Sequence, residues 1–157
     1  MLELEVDKIY SSPLLRARQT IKPYAEKVNK ELIIEEDLKE INVGTWEDIL
    51  RDDLRKMYPE INKKIDETEY YCGMEGQEET ADVAQRMKNV ITKIAKENAG
   101  KEIIIVSHIV AIRAFLCTIL GIPFEKTKEK IGHIANTGIT YIDFEDDNFV
   151  VNSIGND

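Results

Sequence analysis

With 157 residues, 43% of them hydrophobic and 32% charged, the chain has the length and composition of one globular domain able to bury a sizeable core. Its formal net charge of −9 excludes a non-specific nucleic-acid binder, because nothing offsets repulsion by the phosphate backbone, and it disfavours anionic lipid surfaces for the same reason. A small anionic ligand stays compatible with that sign, since positive charge gathered in a cleft outweighs the global field locally.

In chain order, Val6–Tyr10 predicts a strand, and Ser11-Ser12-Pro13 predicts a helix start with Ser12 as N-cap and Pro13 as first helical residue. Leu14, Ala17, Ile21, Tyr24, Ala25 and Val28 then recur at helical spacing, and Pro23 inside that pattern predicts a kink or a break. Leu32–Ile34 predicts a short strand, and Leu38–Trp46 a loop ending near Gly44. Asp48–Tyr58 predicts a weak helix stopped by Pro59, and the polar span Glu60–Gln77 a surface excursion. Val83, Met87, Val90, Ile91, Ile94 and Ala95 mark an amphipathic helix ended by Gly100.

Ile103–Val106 has no polar alternation, the pattern of a strand buried on both faces in the middle of a parallel sheet. The helix that follows is apolar nearly all round and stops at Gly121-Ile122-Pro123. Ile139–Phe144 and Phe149–Val151 flank Glu145-Asp146-Asp147-Asn148 and predict a hairpin. Strands alternating with helices predict an α/β layered fold in a single domain over residues 1–157, without internal repeats or linkers.

The cysteines are Cys72 and Cys117, in settings too different for a disulfide framework or a zinc site, and Cys117 is expected to be a buried free thiol. The acidic stretch Met1–Glu5 does not read as a signal peptide, and Ile109–Leu120, interrupted by Arg113, is too short to span a bilayer. A cytoplasmic setting is expected, with neither nucleic acid nor membrane as partner.

The richest segment is Ile104-Ile105-Val106-Ser107-His108, which delivers a histidine from a strand to the start of a helix. Open α/β sheets bind ligands where strand ends meet helix N-termini, and the free N–H groups there favour anions. A histidine at that spot can transfer a proton or contact a phosphoryl group; it can equally well cap or pack.

Three separated segments resemble the histidine phosphatase superfamily, the phosphoglycerate-mutase-like fold. Ile9–Thr20 resembles that family's strand-to-helix segment with a phosphate-binding arginine, Leu38–Glu47 its segment with an acidic proton donor, and Val106-Ser107-His108 its second catalytic histidine. Gly76-Gln77-Glu78-Glu79 ahead of Asp82-Val83 and Arg86 echoes a fourth motif, and Asn136-Thr137-Gly138 a fifth. The resemblance implies a layered α/β/α fold with a mostly parallel central sheet, truncated at the N-terminus.

The same resemblance implies metal-independent phosphomonoester hydrolysis without a cofactor. In the family a histidine attacks phosphorus, arginines and a second histidine neutralise the transferred oxygens, and a carboxylic acid protonates the leaving group. By resemblance Glu40 is the proton donor, His108 the second histidine and Arg16 a phosphate clamp, while Ser12 and Asn136 shape the pocket. Each has a plainer alternative. Arg16 could be a solvated helix arginine, and helical angle alone favours Arg18 as the inward residue; Glu40 could be one more surface acid among 30 acidic residues. His133 reads as a surface or supporting histidine and Trp46 as core.

Three departures qualify the resemblance. The family's Arg-His-Gly triplet, which supplies the nucleophile on a central strand, has no counterpart: the two histidines are His108 and His133. Ile109 stands where glycine usually follows the second histidine, and Glu79 where serine is usual. The expectation is therefore an incomplete domain, inactive or impaired as this chain, taking a small phosphorylated substrate or inorganic phosphate. The alternative is a non-catalytic phosphate-binding or protein-interaction module derived from the family. An unpaired strand edge would favour a homodimer. Within the family, the short span between Glu47 and Gly76 favours a phosphatase over a mutase.

Overall fold

The computed structural model describes residues 5–156. Strand β1 (Lys8–Ser11) leads to helix α1 (Leu15–Lys27), strand β2 (Leu32–Ile34), helices α2 (Arg51–Met57), α3 (Pro59–Thr68) and α4 (Thr80–Glu97), strand β3 (Ile103–Val106), helix α5 (Ile109–Leu120), the single turn α6 (Thr127–Lys130) and the hairpin β4 (Ile139–Glu145) and β5 (Asn148–Asn156). Short 3-10 turns at Glu36–Leu38 and Gly44–Trp46 punctuate the loop after β2.

The parallel sheet has the order β2-β1-β3, and β4 and β5 form a separate antiparallel pair. Residue alternation divides the sheet's two faces. Ile9, Ile104 and Val106 pack with Ile21 and Ala25 of α1 on one side. Tyr10, Ile103 and Ile105 pack with Val83, Met87, Val90 and Ile94 of α4 and with Ala111, Ala114 and Phe115 of α5 on the other. Asn98, buried at the end of α4, donates to the Tyr10 hydroxyl (3.0 Å) and so ties helix to strand. The hairpin lies against α5, with Phe149 edge-on to Phe115 at 5.2 Å and Ile142, Val151 and Ile154 packed around Leu116 and Cys117.

Several expectations are revised. The helix after β1 begins at Leu15, two residues later than predicted, because the Ser12 hydroxyl accepts the Leu14 N–H in a tight turn and Pro13 holds Ser12 extended. Pro23 lies inside α1, which runs through it unbroken. Pro59 does stop α2 but also opens α3, so much of the supposed excursion is helical; Ile61 and Ile65, four residues apart, turn one face of α3 onto Trp46 and Met74. All four residues of β3 are half-buried rather than fully enclosed, since among the described residues β3 pairs with β1 alone. The hairpin turn fits its aspartates: Asp146 and Asp147 both have left-handed backbones (φ 50° and 62°), the pair that a two-residue turn of the favoured hand requires.

Candidate functional site

Neighbouring strands β1 and β3 run parallel, yet the helices that follow them cover opposite faces of the sheet: α1 one, α5 the other. A crevice opens at the carboxyl ends of two such strands. Ser12 leaves β1 at this point and His108 leaves β3. The Ser12 N–H still bonds the Val106 carbonyl at 2.9 Å, holding the two exits together.

Buried between them, with 7% of its surface exposed, the His108 ring is held from both nitrogens. Arg16, in the first turn of α1, donates from Nε to His108 Nδ1 at 3.2 Å. A guanidinium only donates, so Nδ1 is an acceptor and the proton sits on Nε2, which gives it to the fully buried Ser12 hydroxyl at 2.8 Å. The imidazole is therefore neutral. Its pKa is pushed down to about 4, first by burial and then by the positive charges of Arg16 and Arg86. Among the described residues the exposed Arg16 side chain makes one hydrogen bond, from Nε, and its two terminal NH2 groups make none.

Glu40 reaches the same helix end from the loop after β2. Its Oε1 accepts the N–H groups of Ile41 and Ala111, both at 3.0 Å, and its Oε2 the Val110 N–H at 3.2 Å. Two of the unpaired donors at the start of α5 are thus satisfied by a carboxylate from 70 residues earlier in the chain. Burial nevertheless outweighs these bonds and the Arg16 charge and raises the carboxyl's pKa above 4.5. A carboxyl inclined to keep its proton thus sits beside a buried neutral imidazole and a cation with spare donors, a set able to bind an oxyanion and hand over a proton.

The loop carrying Glu40 is itself clasped. Ser107 donates to the Leu38 carbonyl at 2.8 Å. Arg86 of α4 and Glu78, absent from the residues singled out for chemistry, lock the same loop. Their ion pair is bidentate (2.7 and 3.0 Å), and Arg86 also reaches the carbonyls of Asp37, Lys39 and Glu40. Backbone carbonyls leave no mark in a sequence, so only the fourth motif's Glu78 and Arg86 hinted at this. Gly44 closes the loop from the other side. With φ +61° it lies so near residues 75–77 that an added Cβ would fall 2.1 Å from the Glu75 carbonyl.

Other candidates lie elsewhere. Asn136 is exposed, and among the described residues no hydrogen bond links its side chain to the Arg16, His108 and Glu40 group. His133 is exposed and Arg18 points to solvent, whereas Trp46 is buried and stacked on Tyr58 at 5.0 Å. Ile109 is half-buried and packs against the core on both the α4 and the hairpin sides, and Glu79 is an exposed residue at the start of α4. Arg113, one turn into α5 and buried, donates to Glu69 (2.9 Å) and the Gly132 carbonyl (3.0 Å), tying the end of α3 to the site's helix. Tyr71 stands near enough to feel the charges of Arg51, Glu69, Glu40 and Arg113, and burial raises its pKa. Among the described residues no three His, Cys, Asp or Glu side chains converge as metal ligands, and no helix is long and apolar enough to cross a membrane.

The chain is similar to several known proteins. The chain is 34% identical over 121 residues to phosphoserine phosphatase 1 of Hydrogenobacter thermophilus, an alignment covering 77% of this chain and 57% of that protein. It is 27% identical to a probable phosphoglycerate mutase, GpmB, of Yersinia pestis, over 90% of this chain and 65% of that one. The structure of Bacillus stearothermophilus YhfR superposes with a TM-score of 0.88 at 24% identity, covering 98% of this chain and 76% of that one. Phosphoserine phosphatase of Entamoeba histolytica, solved with 3-phosphoglyceric acid, superposes with a TM-score of 0.73 at 30% identity, covering 94% and 73%. The profile of the Histidine phosphatase superfamily (branch 1) matches residues 1–157, and with the α/β fold and crevice described above it establishes that the chain belongs to that superfamily.

Proposed function

We propose that this chain carries the phosphate-binding and proton-donating half of a metal-independent phosphomonoesterase site. The carrying observation is the joint placement of Arg16, Ser12, His108 and Glu40 at the start of α5. In this reading the free terminal nitrogens of Arg16 take two oxygens of a phosphoryl group. As Arg16 turns to those oxygens its Nε–H leaves His108 Nδ1, which takes a proton from solvent, so that the ring becomes a second cation against the transferred oxygens. Glu40, whose carboxyl burial inclines toward the protonated form, is the donor of a proton to the leaving oxygen. Ser12 orients the ring.

The nucleophile is the missing part. Both histidines are accounted for, His108 as charge stabiliser and His133 as an exposed residue, and no Arg-His-Gly triplet occurs in the 157 residues. This chain alone is therefore read as inactive or impaired. The substrate class is a small phosphorylated acid, supported by phosphoserine phosphatases among its relatives. The lack of a nucleophile equally favours the second reading, a non-catalytic phosphate-binding module. The inward packing of Ile109 and the exposure of Glu79 no longer argue for that second reading.

The test is hydrolysis of p-nitrophenyl phosphate with EDTA present, beside calorimetric titration with phosphate and vanadate, for the wild type and His108→Ala. Binding without turnover, lost in His108→Ala, supports a phosphate site lacking its nucleophile. Neither binding nor turnover would remove the proposal.

A further inference from the structure

The loop bearing Glu40 is held by one cation with nothing to spare. A guanidinium has five N–H bonds, and Arg86 makes five hydrogen bonds: Nε to Glu78 Oε1 (2.7 Å), Nη2 to Glu78 Oε2 (3.0 Å) and the Glu40 carbonyl (3.2 Å), and Nη1 to the carbonyls of Asp37 (2.7 Å) and Lys39 (2.8 Å). Glu78 returns along the same loop, its Oε2 accepting the Asn42 N–H at 3.3 Å and its own N–H bonding the Asn42 carbonyl at 2.9 Å. Both side chains are well shielded, Arg86 18% and Glu78 25% exposed, unlike most ion pairs on this surface. The pair is strong enough that Glu78 is held below the usual carboxylate range despite its own burial.

We propose that Arg86 and Glu78 form the positioning device of the site, fixing the backbone of residues 37–42 so that the Glu40 carboxyl meets the first N–H groups of α5. This rests on the reading of Glu40 as the acid. The backbone clamp and the carboxyl's seat are separate contacts, on opposite ends of the same residue. The clamp acts on the main chain and the helix end on the side chain; together they leave Glu40 one position. Lysine cannot substitute, because a compact ammonium with three donors cannot span a carboxylate and three carbonyls at once.

The experiment follows the 13C carboxyl signal of Glu40 against pH in this chain, assigned by its loss in Glu40→Gln. The wild type is expected to titrate above 4.5. Arg86→Lys keeps the charge and breaks the fork, so Glu40 is expected to leave its desolvated seat and its midpoint to fall back toward 4.5. Glu78→Gln should move it the same way by less, and it decides the matter if Arg86→Lys does not fold. Val90→Ala, a core truncation on the same helix, should leave the midpoint in place. A folded Arg86→Lys with an unmoved midpoint would overturn the proposal; so would an equal shift in Val90→Ala, which would mark lost stability rather than lost positioning. Phosphate is titrated separately, with the His108 ring signal as readout. If phosphate leaves that signal unmoved, the proposed function fails while the positioning role is still decided by Glu40.

Discussion

The state of His108 sets both the stability of the fold and its response to anions. The ring's pKa falls from 6.5 to about 4 in the folded chain. Above pH 6.5 both folded and unfolded chains hold it neutral, and its contribution to stability is complete. As pH falls, the unfolded chain takes up the proton first, and stability drains until the native ring also titrates near 4. At about 1.36 kcal/mol per unit, the loss across that window is about 3 kcal/mol. The assay is ring NMR, with exposed His133 as the other histidine signal, beside urea melts of the wild type and His108→Gln from neutral pH to pH 4. The stability gap between the two proteins should narrow as pH falls. Arg16→Gln should raise the His108 midpoint but leave it below 6.5, because burial is the larger cause. Inorganic phosphate should raise the midpoint by placing negative charge beside the ring. A wild-type midpoint near 6.5, unmoved by phosphate, would refute the argument.

Further outcomes are expected. Glu40 has the opposite sign: its raised pKa means its stability contribution is full below 4.5 and lost as pH rises through the folded value, so Glu40→Gln should flatten that decline in a series of thermal melts. Gly44→Ala meets both a left-handed backbone and the Glu75 carbonyl; the conformational cost alone is about 1–2 kcal/mol, and a melt showing no loss would mean the 74–78 segment moves freely. Met87→Ala, in a fully buried position on α4, should cost about 2–5 kcal/mol by urea denaturation, and a loss below about 1 kcal/mol would show that the core collapses into the space.

What the sequence disclosed follows a physical line. Strong periodicity gave α4, and nearly unbroken apolar runs gave β3 and α5, because burial writes itself into residue type. Pro59 was misleading because proline ends one helix and begins another with equal ease. The half-exposure of β3 was invisible, since it depends on what lies beside the strand. Helical angle alone would have chosen Arg18 over Arg16. A first-turn side chain reaches beyond its helix end, so angular position on α1 does not describe its contact with His108. The Arg86 clamp escaped because most of its partners are carbonyls, which every residue has.

The seating of Glu40 has a consequence for how an anion would be held. A helix start ordinarily adds fixed dipoles to an anion site, but here the Val110 and Ala111 N–H groups already serve a carboxylate. Attraction then falls largely on the exposed guanidinium of Arg16, a long side chain in water whose field fades over a Debye length of about 10 Å at 0.1 M salt. A site built this way grips a free ion lightly and loses it as ionic strength rises.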